Sequence, residues 1–197
     1  MKQNEISIQR RQQILEATCR CLQNKSFHTL TIKEIAQEAN ISYGLVHFYF
    51  DSKGKLLTDT IDYVLAYFAD SLLKMIEPYQ NRQLSNAEIF EFFKNWIHLH
   101  FTPEYAAYMK IWYDLSMENR LTKKDNGLVI STTYSKTASE PLGRLLSQNN
   151  DYMRAYQLMT TYLEGMCLRI FVYGYNQEKE AERCMEFLHI LLSGIQK

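Results

Sequence analysis

The sequence predicts an all-α protein. Only 7 Gly and 3 Pro occur in 197 residues, and so few helix breakers over this length favour long helices over many strands and turns. Apolar residues recur at helical spacing in one segment after another, with polar turn residues between the segments. We expect an N-terminal helix-turn-helix domain of three helices, residues 1–52, and a larger helical domain, residues 53–197.

The composition indicates where in the cell the protein is found and, from that, the state of its cysteines. No apolar run approaches the roughly 18 residues needed to span a bilayer, and the N-terminus lacks the apolar segment of a signal peptide. We therefore expect a cytoplasmic protein without a membrane partner. The four cysteines, at positions 19, 21, 167 and 184, should then stay reduced. We expect them to be small buried hydrophobic residues rather than metal ligands.

The charge distribution is uneven although the net charge is zero. Residues 1–55 hold eight Lys/Arg against five Asp/Glu, a balance of +3, so the rest of the chain carries −3. A basic N-terminal quarter on a slightly acidic body favours a local anionic partner.

The first two helices precede a tight turn. The first helix is predicted over about residues 6–23. The second starts at Thr31, which Glu34 follows at the spacing of a capping box. It should end at Asn40, because asparagine tolerates the left-handed conformation that closes helices. Ser42 can then cap a third helix. Helices separated by about three residues must cross steeply, as in a helix-turn-helix.

The third helix has an unusually apolar sequence, "YGLVHFYF". Val46 and Phe50 are four residues apart and can both face inward. The residues left to face outward are Tyr43, Gly44, His47 and Phe48. Such a surface is poor for solubility but suits insertion into a DNA groove, where rings meet sugars and thymine methyl groups. The alternative is that these aromatic residues pack under a neighbouring helix.

A long helix is predicted from Ser52 to about Glu77, where Pro78 ends it. Lys53 lies in its first turn, where the ammonium group and the free backbone N–H groups together suit one phosphate.

More helices are predicted beyond Pro78, over about residues 86–101, 103–120, 128–147, 152–175 and 178–195. The Asn126-Gly127 pair and residues 149–151 mark two of the breaks. The last two segments carry apolar stripes that can be core, or half of a four-helix interface with a second copy of the chain. The stripe residues are Tyr156, Met159, Leu163, Met166 and Ile170 on one helix, and Cys184, Phe187, Leu188, Leu191 and Ile195 on the other.

The segment "TLTIKEIAQEANISYGLVHFYFDSKGKLL" resembles the helix-turn-helix and following helix of TetR-type transcriptional regulators. The likeness covers residues 7–57, with a specific multi-element pattern. Its pattern residues here are Thr31, Ile35-Ala36, Asn40-Ile41-Ser42, Gly44, Phe48-Tyr49-Phe50, Ser52-Lys53 and Leu56-Leu57. The rest of the chain resembles the family only as an all-helical body of suitable length. Residues 162–174 faintly resemble the choline-responsive branch, too loosely to assign an effector.

The resemblance implies a set of DNA contacts. In the recognition helix, the third helix, His47 replaces a usual tyrosine and Leu45 a common threonine, so the operator sequence cannot be taken from relatives. Lys33 should reach a base or a phosphate. The full set of expected DNA-binding residues is Thr31, Lys33, Ser42, Tyr43, Gly44, Leu45, His47, Phe48, Tyr49 and Lys53.

The larger domain holds candidate effector-binding residues, which are aromatic residues and methionines in its middle and late helices. Such residues are usually core, and that alternative stays open. If they line a pocket, the ligand is apolar, aromatic or a cation on ring faces, with Glu164 or Asp114 as a counter-charge. The candidates are Trp96, Tyr105, Met109, Trp112, Tyr162 and Met166.

The function predicted from these features is a ligand-responsive, sequence-specific DNA-binding transcriptional regulator. We expect a homodimeric repressor that a small molecule releases from a palindromic double-stranded DNA operator. The alternative is a helical sensor or adaptor that does not bind DNA. The sequence offers no support for an enzyme, because it contains neither a Gly-rich phosphate loop nor a nucleophile elbow. His98 and His100 lack metal-ligand spacing. We expect no catalytic residue, metal or cofactor.

Overall fold

A computed structural model describes residues 2–80, 82–122, 140–147 and 149–194, with the backbone alone at residues 2–4 and 116–122. Those residues contain helices and connecting turns and no strand, which confirms the all-α prediction. The helices are α1 (Lys2–Leu22), α2 (Ile32–Glu38), α3 (Tyr43–Tyr49), α4 (Lys53–Ile76), a 3-10 turn (Glu77–Tyr79), α5 (Asn86–His100), α6 (Pro103–Thr122), α7 (residues 140–146), α8 (Asn150–Tyr173) and α9 (Gln177–Ser193).

The observed helix ends follow the predicted ones within a few residues. The exception is α1, which begins at Lys2 rather than near Ile6. Glu5 lies in its first turn, where a carboxylate favours the helix N-terminus. Of the helix predicted over 128–147, residues 140–146 are helical. The remainder, with the predicted break at Asn126-Gly127, lies outside the described residues.

The chain divides into two compact units. Within the described residues, the first comprises 2–66 and 110–122, and the second comprises 67–80, 82–109, 140–147 and 149–194. The boundary predicted after residue 52 separates a DNA-binding domain from an effector-binding and dimerisation domain. That functional division stays a prediction.

The first unit encloses the apolar faces of the three N-terminal helices and of the beginning of α4. The side chains buried there, each at most 2% exposed, include Ile14, Ala17, Leu22, Leu30, Ile35, Val46, Phe50 and Leu56. Thr18 is also fully buried, and its hydroxyl donates to the Ile14 carbonyl at 2.8 Å. Burial of this set is what holds the short helices α2 and α3, since isolated helices of seven residues are unstable in water.

The second unit has one large core, to which α4, α5, α7, α8 and α9 contribute. The apolar stripes of α8 and α9 belong to it: Met159, Leu163, Met166, Cys184 and Leu188 are at most 4% exposed. Tyr156, Phe187 and Leu191 pack partly buried against the same cluster, and Ile195 lies outside the described residues. These stripes therefore pack within the chain, as the core alternative expects, and are not free for a second copy.

An ion pair connects α8 and α9 near the turn between them. Gly174 closes α8 in the left-handed conformation, φ 69°. Glu180 is 1% exposed and accepts hydrogen bonds from Arg169 at 2.9 and 3.0 Å and from Arg183 at 2.5 Å. The bonds from Arg169 lower the pKa of Glu180. A buried carboxylate is stable here because two guanidinium groups satisfy it.

The cysteines mostly behave as expected for hydrophobic residues. Cys19, Cys167 and Cys184 are buried, and burial raises the pKa of each thiol to about 12. Cys21 is only half-buried. Among the described helices, none is both long and apolar enough to cross a membrane.

Candidate nucleic-acid interface

Helix α2 starts at the predicted capping box. The Thr31 hydroxyl accepts from the Glu34 N–H at 3.2 Å, and the Thr31 N–H donates to the Glu34 carboxylate at 2.8 Å. Lys25 forms an ion pair with the same carboxylate. The Lys25 ammonium and the two Thr31 donors hold the pKa of Glu34 at about 2. The box fixes the direction of α2, because it satisfies backbone groups at the helix start that have no partner inside the helix.

The turn between α2 and α3 is short and closed on both sides. Asn40 adopts φ 53°, the only positive φ at a non-glycine residue among those described. The N–H of Ile41 donates back to the Ala36 carbonyl at 3.0 Å. The Ser42 hydroxyl then caps α3 by accepting from the Leu45 N–H at 3.3 Å. The predicted helix-turn-helix geometry is confirmed.

Helix α3 has a buried side and an aromatic side. Val46 and, directly after the helix, Phe50 are 1% and 2% exposed. Tyr43 is 54% and Phe48 76% exposed, and His47 is exposed beside Tyr43, with ring centroids 4.6 Å apart. The aromatic residues Tyr43 and Phe48 thus do not pack under a neighbouring described helix, so the outward-facing interpretation is confirmed.

Arg11 ties the end of α3 to α1 and α4. Its guanidinium donates to the Tyr49 carbonyl at 3.0 Å, forms an ion pair with Asp59, and lies 4.6 Å from the Phe50 ring centroid. Asp59 is 8% exposed and also accepts from Lys55 at 2.8 Å. The sequence alone does not predict these contacts of Arg11, since nothing local signals a partner 48 residues away.

Lys53 is the first residue of α4, as predicted, but its ammonium already has a partner. It donates to the His28 carbonyl at 3.0 Å and lies 4.9 Å from the Phe27 ring centroid. An ammonium has three donors, so Lys53 keeps the capacity to bind a phosphate. The Ser52 hydroxyl caps α4 by accepting from the Lys55 N–H at 3.0 Å.

The other predicted DNA-binding residues lie around α3. Lys33 and Ser42 are exposed, whereas Leu45 and Tyr49 are half-buried. Thr31 is exposed, but its hydroxyl also donates to the Glu34 carboxylate at 2.8 Å. A phosphate contact by that hydroxyl would therefore compete with the capping box. A Cβ built on Gly44 meets nothing within 4 Å, so the backbone of α3 is open to a partner there.

The predicted effector residues are divided between the units. Trp96, Tyr105, Met109, Tyr162 and Met166 lie in the second unit, and Trp112 lies half-buried in the first.

Within the second unit four of these residues are buried, and Tyr162 is half-buried. Trp96 is 6% exposed and stacks on Tyr156, with centroids 4.8 Å apart and an interplanar angle of 18°. Tyr162 stacks on Phe187 at 4.1 Å. Tyr105, Met109 and Met166 are buried, with exposures of 4–8%.

A cavity lies elsewhere in the second unit. Its volume is about 480 Å³, which suits a small-molecule site. Arg82 forms an ion pair with Glu88, and Arg144 pairs with Glu140 at 2.8 Å. The lining contains none of the predicted effector residues, and the sequence did not indicate this cavity because its lining residues come from two segments far apart in the chain. It consists of Ile76, Tyr79, Gln80, Arg82, Gln83, Pro141, Arg144 and Leu145.

Comparison with known proteins identifies the class of the N-terminal domain. Residues 14–60 match the family described as "Bacterial regulatory proteins, tetR family". This match over residues 14–60 confirms the resemblance of the helix-turn-helix region to TetR-type regulators.

Two curated relatives are transcriptional regulators. The HTH-type transcriptional regulator BetI of Serratia proteamaculans (strain 568) is 33% identical over 63 residues, 32% of each chain. The HTH-type transcriptional regulator HbdR of Aromatoleum sp. (strain CIB) is 35% identical over 69 residues, 35% of this chain and 30% of that protein. The match thus spans about a third of the length of these relatives.

Solved structures extend the likeness of fold to almost the whole chain. A TetR transcription regulator from Haloarcula marismortui has a TM-score of 0.69 at 19% identity, over 94% of this chain and 97% of that one. A TetR-family regulator from Mesorhizobium loti has a TM-score of 0.66 at 13% identity, over 95% and 96%. The chain has the fold of TetR-family regulators.

Proposed function

We propose that the protein is a ligand-responsive, sequence-specific DNA-binding transcriptional regulator, a repressor that a small molecule releases from its operator. The observation that carries this proposal is the exposed aromatic side of α3. Tyr43, His47 and Phe48 project from a capped helix in a tetR-family domain. Large exposed apolar side chains grouped in this way mark binding surfaces.

The charge of the N-terminal region supports DNA as the partner. Residues 1–55 carry a balance of +3, and Lys33 is exposed near the start of α2. Basic side chains attract the phosphate backbone and position the protein, while the α3 side chains contact base edges. The expected contacts remain Thr31, Lys33, Ser42, Tyr43, Gly44, Leu45, His47, Phe48, Tyr49 and Lys53.

The operator is expected to be palindromic because the protein acts as a homodimer in this proposal. A two-fold dimer presents two recognition helices to successive major grooves about 34–36 Å apart. The apolar stripes of α8 and α9 are used inside the chain, but other side chains of these helices are exposed. Leu158 is 45%, Val172 61% and Ile190 71% exposed, and these residues support a pairing surface on α8 and α9.

The effector acts through the second unit. A ligand that binds one of two conformations more tightly shifts their populations, and the DNA-competent spacing of the recognition helices would be one of the two. Helix α4 carries Lys53 at its start, so a tilt of α4 would move a phosphate contact. The two candidate places for the ligand are the 480 Å³ cavity and the predicted effector residues that lie in the second unit, Trp96, Tyr105, Met109, Tyr162 and Met166.

Two other functions compete with this proposal. Curated relatives are named as transcriptional regulators, and neither an enzyme nor a DNA-free adaptor has a supporting observation of its own. A regulator of transcription works beside the chromosome, so we propose a cytoplasmic location.

The test is operator selection from random duplex DNA with the purified full chain, followed by a salt series on the selected and a scrambled duplex. We expect one enriched inverted repeat, bound more tightly than the scrambled duplex, with affinity falling steeply as salt rises. Enrichment of no sequence, together with binding that ignores salt, would leave the adaptor as the better interpretation.

A further inference from the structure

We infer that α3 recognises thymine C5-methyl groups in the major groove, so that each operator half-site contains thymines under Phe48 and its neighbours. This inference rests on the proposed function and specifies the DNA that α3 selects. Four observations carry it: the residue types of α3, their exposure, their ring contacts and the open backbone at Gly44.

The residue types of α3 limit which bases it can distinguish. Guanine is recognised by Arg or Lys, adenine by Asn or Gln, and cytosine by Asp or Glu, whereas the thymine methyl group takes apolar contacts. The sequence of α3, "YGLVHFY", contains none of the first six residue types. Its base-specific contacts must therefore come from rings, one leucine, a phenol and an imidazole.

Exposure selects Phe48 as the main apolar contact. Phe48 is 76% exposed, which is the highest value among the exposed large hydrophobic side chains of the described residues. A phenyl ring has no hydrogen-bonding group for a base edge or a phosphate, so its contribution to binding comes mainly from covering apolar surface. In the major groove the thymine methyl group is the apolar group of the base edges.

The rings are already oriented before DNA binds. Phe48 meets Tyr49 edge to face, with centroids 5.2 Å apart and a 90° interplanar angle, and Tyr43 meets His47 at 4.6 Å and 64°. Gly44 lies three and four residues before His47 and Phe48, on the same side of the helix. Because a Cβ there would meet nothing within 4 Å, the DNA can approach the backbone between the two ring pairs.

Deoxyuridine substitution tests the inference, because it removes only the methyl group and keeps the hydrogen-bonding edge of thymine. The selected operator is rebuilt with deoxyuridine at one thymine at a time, and binding of the full chain is measured. Loss of one buried methyl group should weaken binding about fourfold. We expect that loss at one or more thymines in each half-site, and none at thymines outside the two half-sites.

Variants assign the methyl contact to α3. Phe48→Ala, at an exposed position, should fold normally. It should bind the operator with thymine at the sensitive position and the operator with deoxyuridine there with equal affinity. Lys53→Ala is the matched control: it should weaken binding to both operators and keep the roughly fourfold difference. Circular dichroism of each variant checks the fold.

Several outcomes would overturn the inference. If deoxyuridine can replace every thymine without loss of affinity, the methyl contact is refuted and the proposed function still stands. A methyl effect that persists in Phe48→Ala, Leu45→Ala, Tyr43→Ala and His47→Ala would assign the contact to a residue outside the exposed side of α3. Failure to enrich any operator would remove the proposed function and this inference together.

Discussion

Arg11 and Asp59, 48 residues apart, form an ion pair that joins the first helix of the N-terminal domain to α4. The same guanidinium donates to the carbonyl of Tyr49, the last residue of the recognition helix, at 3.0 Å. Arg11 therefore adds a polar link between α1, the end of α3 and α4 to the buried apolar contacts that hold α3. Lys55 is the second cation on Asp59, at 2.8 Å.

Arg11→Met should lower the free energy of unfolding by about 1–3 kcal/mol, because it leaves a mostly buried carboxylate with one partner fewer and frees the Tyr49 carbonyl. Arg20→Met is the matched control on the same helix. Its ion pair with Glu38 is exposed on both sides, so its loss should cost less than about 1 kcal/mol. Urea unfolding of both variants measures the difference, and equal effects would contradict the assigned role of Arg11.

Lys53→Ala and Tyr43→Ala should weaken DNA binding in different ways. Lys53 is expected to contact a phosphate, so its loss should weaken binding to operator and random DNA alike and lower the salt slope by about one per subunit. Tyr43→Ala should cost about 1–3 kcal/mol on the operator and much less on random DNA. One salt series with two duplexes measures both. If Lys53→Ala leaves both affinities unchanged, Lys53 does not contact a phosphate, and its role is the hydrogen bond to the His28 carbonyl.

Trp96→Phe should weaken binding of an active effector several-fold if the predicted residues form the effector site, because it removes part of the ring surface that a ligand there would contact. Arg144→Ala, in the separate 480 Å³ cavity, is the control. Isothermal titration of both variants with an effector found by screening for operator release decides between the sites. A loss confined to Arg144→Ala would move the effector to the cavity.

Ile190→Glu should dissociate the proposed homodimer, because it puts a charge on an exposed apolar part of α9. Ile8→Glu is matched in residue type and exposure, 62% against 71%, but lies on α1. Sedimentation velocity over a concentration series should therefore give a smaller species for Ile190→Glu alone. Truncation after Asn149 is a poor test, since it removes core residues of the second unit such as Met159 and Leu188.

Acid should destabilise the second unit partly through His100. Its Nδ1 lies 2.8 Å from the Trp96 carbonyl oxygen, and burial lowers its pKa from 6.5 to about 4. Between pH 6.5 and 4 the unfolded chain binds a proton that the folded chain does not, so this contribution to stability falls as the pH falls, by at most about 1.4 kcal/mol per unit. His100→Asn should flatten unfolding free energy against pH in that window. His98→Asn, at an exposed position on the same helix, should keep the wild-type slope.

Features that depend on residues within about four positions of one another could be predicted from the sequence. The Thr31–Glu34 capping box, the left-handed Asn40, the Ser42 cap and the inward side of α3 are all of this kind. Backbone geometry sets such contacts directly, because a helix always brings residues three and four apart to the same side. The all-α class and most helix boundaries follow from the same local rules.

Contacts between distant segments were decided only by the tertiary structure. Arg11 with Asp59, Lys53 with the His28 carbonyl, and the cavity between residues 76–83 and 141–145 have no local signal. The stripes of α8 and α9 show the reason most clearly. Helical spacing of apolar residues states that a face is buried, but the same free energy is gained whether the covering surface comes from the same chain or from a second copy. Only the packing of α8 and α9 into the core of the second unit distinguishes the two.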